Sequence, residues 1–447
     1  MLKIFLSATA LFLVFSQSHA EELKVHFPVE KLVLKNGLTV LLHEDHSIPM
    51  VSYHTWYRVG SRDEKMGVTG AAHMLEHMMF KGAKKYTGKQ FDTILHANGI
   101  QNNAFTTDDY TGFYENLPSS KLELIMDVEV DRMRDLALRK EDLVSELQVV
   151  GEERRWRVDN NPTSLLREVM MDKLYEVHPY HWPTIGYMKD IQAYTIEKLR
   201  HFYETFYVPN NAVVVIAGDI DLPKTKELVE KYYGVLKFKE LPPRNYPQEP
   251  EPTKERRVET KGEVQNTTVA VAYKGVATGH PDGFALDLLA NILGSGSSSR
   301  LYKALVYKSQ KASMATSYDL TSADPGYFLM TAAMIPGEST ALAEKIFDQE
   351  VKNVQMHPIS ATELKKAKVQ VEKEFVDGLL TLDGKAESLA INEIVQGDYN
   401  KIFTDLEKYQ AVTVADIQRV AKQYLQPQRK LTAVLNPNST TLPGASK

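Results

Sequence analysis

The 447-residue sequence contains no cysteine. No disulfide can brace the fold, and any metal site must be assembled from His, Asp or Glu. Beyond the N-terminal segment no apolar run approaches the ~20 residues of a membrane-spanning helix. Long runs of like charge are missing as well, and the net charge is −5, so no nucleic-acid partner is expected. What is present is ordinary globular composition, 43% hydrophobic and 25% charged, at a length that allows more than one core.

The N-terminus reads as an address rather than as part of the fold. Met1-Leu2-Lys3 is a short basic start, Ile4 to Phe15 is almost unbroken apolar sequence, and Ser18-His19-Ala20 has the small-x-small form of a cleavage site. Residues 1–20 are expected to be a secretory signal peptide cleaved at about Ala20. An uncleaved anchor is disfavoured, because the run is short for a span and polar sequence follows at once. The mature chain is then exported, periplasmic or secreted, with no stable membrane insertion.

Residues 237–257 are rich in proline and charge and read as a linker. They divide the mature chain into residues 21–236 and 258–447. The two parts end alike. Thr195 and Thr413 each open an amphipathic helix as N-cap. Pro209 and Pro427 break those helices, and apolar strands follow at Ala212–Ala217 and Leu431–Leu435, all at an offset of 218. A domain-sized internal repeat is the economical reading. Each part runs from strands through several helices back to a strand. This predicts an α+β fold of two homologous domains, each a mostly antiparallel sheet with helices packed on one face.

The stretch "AAHMLEHMMFKG" at 71–82 carries the clearest chemistry. His73 and His77 are four apart, on one face of a predicted helix, a spacing that suits two imidazoles closing on one zinc ion. Glu76 lies beside them, placed to take a proton from a water rather than to serve as a ligand. A third ligand is needed, and "LVSELQVVGEERRWRV" at 143–158 offers candidates. Glu146 and Glu153 are seven apart and share a face, so either suits the metal while the other orients a histidine ring. A solvated acidic face paired with Arg154, Arg155 and Arg157 explains the same pattern. His54, in an alternating strand, and His178 and His181, in a loop, are expected to be structural.

H-x-x-E-H inverts the order H-E-x-x-H and is the mark of the inverzincins. With it, the sequence resembles the pitrilysin/insulysin family of zinc metallopeptidases, especially its short members, which are like mitochondrial processing peptidase. The flanks "VGSRDE" at 59–64 and "FKGAKKY" at 80–86 are similar to that family's. The resemblance implies a third ligand 76 residues after the second histidine, which is Glu153, and a supporting Glu seven residues earlier, which is Glu146. It implies one zinc ion per chain, with Glu76 as the catalytic base. It also implies that "NNAFTTDDYTGFYENLP" at 102–118 opens with an edge strand. There Asn103 and Ala104 align an extended peptide by backbone pairing, and Phe105 walls a side-chain pocket. Without the resemblance the same residues read as a plain edge strand blunted by Asp108 and Asp109.

The second half lacks H-x-x-E-H, as the resemblance implies for a non-metal copy. Active relatives also carry an Arg and a Tyr seven residues apart in a C-terminal domain, where they steady the developing oxyanion. Aligned from Ser299-Arg300-Leu301, those positions fall on Val306 and Ser313, while Tyr307 and Tyr318 are out of register. The expectation is an exported zinc endopeptidase acting on peptides or unfolded segments. This chain would be the metal-bearing subunit of a heterodimer whose homologous partner supplies Arg and Tyr. The competing expectation is a non-catalytic binding or assembly subunit of the same fold.

Overall fold

Two sheets organise the chain in a computed structural model that describes residues 25–438. The expected signal peptide lies outside the described residues. The first sheet contains β1 (Glu30–Val33), β2 (Thr39–Glu44), β3 (Met50–Tyr57), β4 (Gln101–Thr106), β5 (Thr111–Pro118) and β6 (Ala212–Gly218), in the order β1-β2-β6-β3-β5-β4. The second contains β7 (Arg256–Gly262), β8 (Thr268–Lys274), β9 (Ala312–Leu320), β10 (Tyr327–Met334) and β11 (Lys430–Pro437), in the order β7-β11-β8-β10-β9. Leaving aside β1, the two orders are the same. In each, one parallel pair (β2 with β6, β7 with β11) is followed by antiparallel neighbours. The repeat expected from the Thr and Pro offsets is therefore a repeat of topology. Thr195 and Thr413 accept the Lys198 and Asp416 backbone N–H groups, as N-caps do.

Side-chain alternation gives each sheet two apolar faces. On one face of the first sheet Val40, Leu42, Tyr53, Val214 and Ile216 pack against that half's own helices, among them Ala71–Met79 and Ile196–Phe206. The opposite face, with Leu41, Trp56, Val213 and Val215, is covered by the helix Leu382–Gln396 of the second half through Ala386, Leu389 and Ala390. The exchange is reciprocal. The helix Pro162–Leu174 of the first half lays Leu166, Met170 and Leu174 on Ala272, Leu431 and Ala433 of the second sheet. Each buried aliphatic side chain contributes roughly 1.5–3 kcal/mol. Ion pairs between the halves, such as Lys31 with Glu393 at 2.6 Å and Lys385 with Asp45 at 2.8 Å, are partly exposed and contribute about 0–1 kcal/mol each. The exchanged helices, rather than the ion pairs, hold the halves together.

The proline-rich stretch 237–255 has neither helix nor strand but is tethered along its length. Arg244 pairs with Asp63 at 2.9 Å, and the Glu249 carboxylate accepts the backbone N–H groups of Glu176, Val177 and His178. Thr55, Trp56 and Tyr57 of β3 pair with Phe113, Gly112 and Thr111 of β5, and β5 in turn pairs with β4. Among the described residues, the outer edge of β4 has no strand beside it.

Candidate metal centre and peptide cleft

The helix Ala71–Met79 starts abruptly. Gly70 caps it at φ +87°, and a Cβ there would stand 2.4 Å from the Ile185 carbonyl oxygen, so only glycine fits this junction. The buried Glu64 carboxylate accepts the Gly70 and Ala72 N–H groups at 2.7 and 2.8 Å and satisfies the helix N-terminus. Met74, Leu75, Met78 and Met79 are buried in the core, which fixes the remaining face, with His73, Glu76 and His77, towards a cleft of about 750 Å³.

A second helix, Lys140–Arg154, forms another wall. The sequence predicts helix through Val158, but at Arg155–Asp159 the coil widens into π-helix. Glu146 and Glu153 both reach His77, and each takes a different ring nitrogen. Nδ1 lies 3.0 Å from Glu146 Oε2, and Nε2 lies 3.2 Å from Glu153 Oε2. His73 Nε2 lies 3.7 Å from the same Glu153 oxygen. Donor atoms of His73, His77 and Glu153 thus lie within 4.8 Å of one another. Two ligand atoms each about 2.1 Å from a tetrahedral zinc ion are about 3.4 Å apart, so the donor set and its spacing fit that ion. Of the two acids left open by helix spacing, Glu153 faces both histidines and Glu146 only the far side of one.

Electrostatics separate these groups. Burial, reinforced by the neighbouring His77, lowers His73 to about 4, so it is neutral and able to donate a lone pair at neutral pH. Burial also pulls His77 down, but its hydrogen bonds to Glu146 and Glu153 outweigh this and raise it to about 9. Glu146 and Glu153 are lowered: burial opposes the shift, but the His77 bond and, for Glu146, the Lys81 bond prevail. Glu76 goes the other way. Burial raises it, although Thr106 donates to Glu76 Oε2 at 2.6 Å. It is a carboxyl group shifted towards the range useful for proton transfer.

Asn103, Ala104 and Phe105 line the same cleft on β4, with the Asn103 carboxamide accepting the Ala104 N–H at 2.9 Å. Phe105 is held from behind by Trp56 and Tyr110. Asp108 and Asp109 lie beyond the strand; Asp109 pairs with Arg62 at 3.0 Å. His54 is buried, accepting from Trp56 Nε1 and meeting Asp383 at 3.2 Å, and His178 is buried beside Asp324. Neither belongs to the histidine–glutamate cluster. A larger cavity of about 870 Å³ beneath the proline-rich stretch contains one histidine, His201, and no such cluster.

Two cleft residues, Lys81 and Thr106, were not singled out from sequence, whereas Arg157 was named there as a partner of the acidic face. Lys81 binds Glu146 Oε1 at 2.6 Å and lies one turn beyond His77, so its position on the helix face was readable but its partner was not. Arg157 braces Glu153 Oε1 at 3.0 Å. Thr106, two residues beyond Ala104 along β4, holds Glu76.

Known proteins resemble this chain over most of its length. Residues 39–186 match the family model described as insulinase (peptidase family M16), and residues 193–371 match the peptidase M16 inactive domain. The second match falls mainly on the half without the histidine motif. A zinc protease of Helicobacter pylori, PqqE, is 34% identical over 417 residues, covering 91% of this chain and 93% of that one. An uncharacterized zinc protease of Mycobacterium leprae is 29% identical over 427 residues, covering 92% and 93%. The crystal structure of a protease from Helicobacter pylori superposes with a TM-score of 0.88 at 33% identity, covering 92% of this chain and all of that one. The periplasmic protease PqqL of Escherichia coli shares the fold, with a TM-score of 0.76 at 19% identity over 93% of this chain and 48% of its own.

Proposed function

The chain belongs to the M16 (insulinase) peptidase family, and on that premise we propose that it is an exported zinc-dependent endopeptidase acting on peptides or unfolded segments. The observation that carries the reading is the convergence of His73, His77 and Glu153 on one point beside Glu76. Those three residues would hold zinc, and Glu146 would fix the His77 ring through Nδ1. A bound zinc ion supplies Lewis acidity, lowering the pKa of water and polarising the scissile carbonyl.

The chain's own groups do the rest. Glu76 takes the proton of the attacking water and returns it to the leaving amine. Thr106 keeps the Glu76 carboxylate pointed into the cleft. The free edge of β4 at Asn103 and Ala104 pairs with an extended substrate backbone, so affinity comes from main-chain hydrogen bonds with weak sequence reading. On this reading the chain comprises domains 21–236 and 258–447, joined by the 237–257 segment. Residues 1–20 act as the export signal; no described helix is long and apolar enough to cross a membrane.

A Glu76→Gln variant tests the reading. It is expected to bind zinc as the wild type does and to lose at least about 10²-fold in kcat. Undiminished cleavage would remove Glu76 from the mechanism, whereas no cleavage by the zinc-loaded wild type together with its partner would favour a non-catalytic binding subunit of this fold. The positions at Val306 and Ser313 offer no cation or phenol for the oxyanion. We therefore propose a homologous partner subunit that supplies Arg and Tyr. Full activity of the purified chain on its own would refute that complementation.

A further inference from the structure

The cavity of about 870 Å³ beneath the proline-rich stretch shares no residue with the histidine–glutamate cleft. Its size falls within the roughly 300–1,000 Å³ of small-molecule sites, and a well-packed interior leaves few such spaces. The floor is the helix Ile196–Phe206, through Leu199, Phe202 and Phe206, and the roof is Leu241, Pro243 and Tyr246. The roof is pinned on either side of Leu241. The Asn210 carboxamide donates to the Lys239 carbonyl at 2.8 Å and accepts the Lys239 N–H at 3.1 Å. Arg244 and Tyr246 both bind the Asp63 carboxylate, at 2.9 and 2.7 Å. The stretch is therefore held as a cover over the groove.

Charge is distributed unevenly along it. From Lys198 to Phe206 the helix advances about 12 Å. Lys198 stands in the first turn and His201 one turn on, and Lys65 lines the same cavity. None of the three pairs with an acid among the described residues; Lys198 reaches only the Ala193 carbonyl, at 3.3 Å. The other lining cations are engaged, Arg62 by Asp109 and Asp324 at 3.0 and 3.1 Å and Arg244 by Asp63. Of the lining acids, Asp63 is thus neutralised and Glu64 caps the helix Ala71–Met79. Glu240 remains, next to Lys239, whose ammonium binds the Glu204 carbonyl near the far end of the floor helix. Free positive charge gathers at the start of the helix and the free negative charge at its end.

The walls also restrict the kind of molecule that fits. Pro242, Pro243 and Pro247 have no N–H to offer, and the N–H groups of a helix interior are already bonded within it. No strand lines the cavity, so a peptide backbone finds no edge to pair with. An acyl chain needs no such partner; burying it is favourable by about 0.8 kcal/mol per methylene. We propose that this cavity binds a single-chain amphiphile with an anionic head, of the long-chain fatty-acid class. Its tail lies between Phe202, Phe206 and Leu241, and its carboxylate lies towards Lys198 and Lys65. The proposal does not depend on the peptidase reading.

Titration calorimetry on the full chain tests this with dodecanoate below its micelle range, compared with dodecylammonium and with a short apolar peptide bearing a free carboxylate. Dodecanoate should saturate at one per chain and bind at least about tenfold more tightly than either. Thr205→Trp, which projects a ring into the groove from its floor, should weaken dodecanoate at least about tenfold. Lys198 is exposed, so Lys198→Glu keeps the fold; it should weaken dodecanoate and strengthen dodecylammonium. Absence of saturable binding overturns the proposal, as does equal binding of the two head groups or tighter binding of the peptide. Dodecanoate affinity unchanged in either variant, as it would be with the carboxylate at the metal centre, also overturns it. So does loss of subunit association in Thr205→Trp without dodecanoate binding by the wild type, which would make the groove a protein contact.

Discussion

At the scale of single residues, His77 is gripped from two sides, and the grips have different consequences. Glu153 approaches the nitrogen that also faces His73, and Glu146 the nitrogen that faces away. Changing Glu153 to Gln is expected to abolish stoichiometric zinc binding, read by elemental analysis of the desalted protein. Changing Glu146 to Gln leaves all three donors in place but frees the ring to turn. The expected loss in affinity is 10–100-fold, measured by competition with a chelating dye. Equal losses in the two variants would make Glu146 a ligand in its own right. The sequence made His73, Glu76 and His77 legible because a helix converts spacing directly into proximity. Glu153 was legible only through a family spacing, since nothing local joins residues 76 apart. Thr106 and Lys81 went unremarked because their meaning depends on what stands across the cleft.

Among the elements, the matched sheets show what the second half carries where the first has its cleft. Tyr57 and Tyr273 hold corresponding places, opposite Ala212 and Lys430, and through them Thr106 corresponds to Asp319 on β9. Where the first half has a hydroxyl serving Glu76, the second has a carboxyl whose two oxygens are buried without protein partners among the described residues. Burial, and then the nearby Asp287, raise Asp319 from 3.8 to about 8. The folded state thus holds this proton more tightly than the unfolded chain, so stability is lost as pH climbs from about 4 towards 8. Asp319→Asn should raise Tm at pH 8 by at least about 3 °C, and the gain should vanish below about pH 4, as followed by thermal unfolding across pH. Strand and helix placement was largely readable from alternation and capping, as at Met50–Tyr57 and Thr413. The π-helical turn at Arg155 was not, since its residues suit an ordinary helix equally well.

For the molecule as a whole, the exchanged helices matter most. The amphipathic pattern of Pro162–Leu174 and Leu382–Gln396 announces an apolar face but cannot say which sheet it meets, so reading each half by itself missed the exchange. Separated at the proline-rich stretch, either half would expose the outer face of its sheet, with Leu41, Trp56 and Val213 in one and Leu431, Ala433 and Ala272 in the other. Each half produced alone is expected to aggregate or to bind a hydrophobic dye strongly, and the two produced together to restore a soluble, zinc-binding complex. A well-folded isolated half, by its near-ultraviolet circular dichroism, would show that the exchange is dispensable.

Under the proposed mode of substrate binding, the border of β4, unpaired among the described residues, carries a further implication for what this cleft would digest. A segment can lie along that border only while its own amides and carbonyls are unclaimed, so a helix or an internal strand of a target must first let go. Cutting of an intact protein would then be governed by how often the target breathes open. Its rate would follow the target's own hydrogen-exchange behaviour, and a ligand that steadies the target would protect it without ever touching the protease.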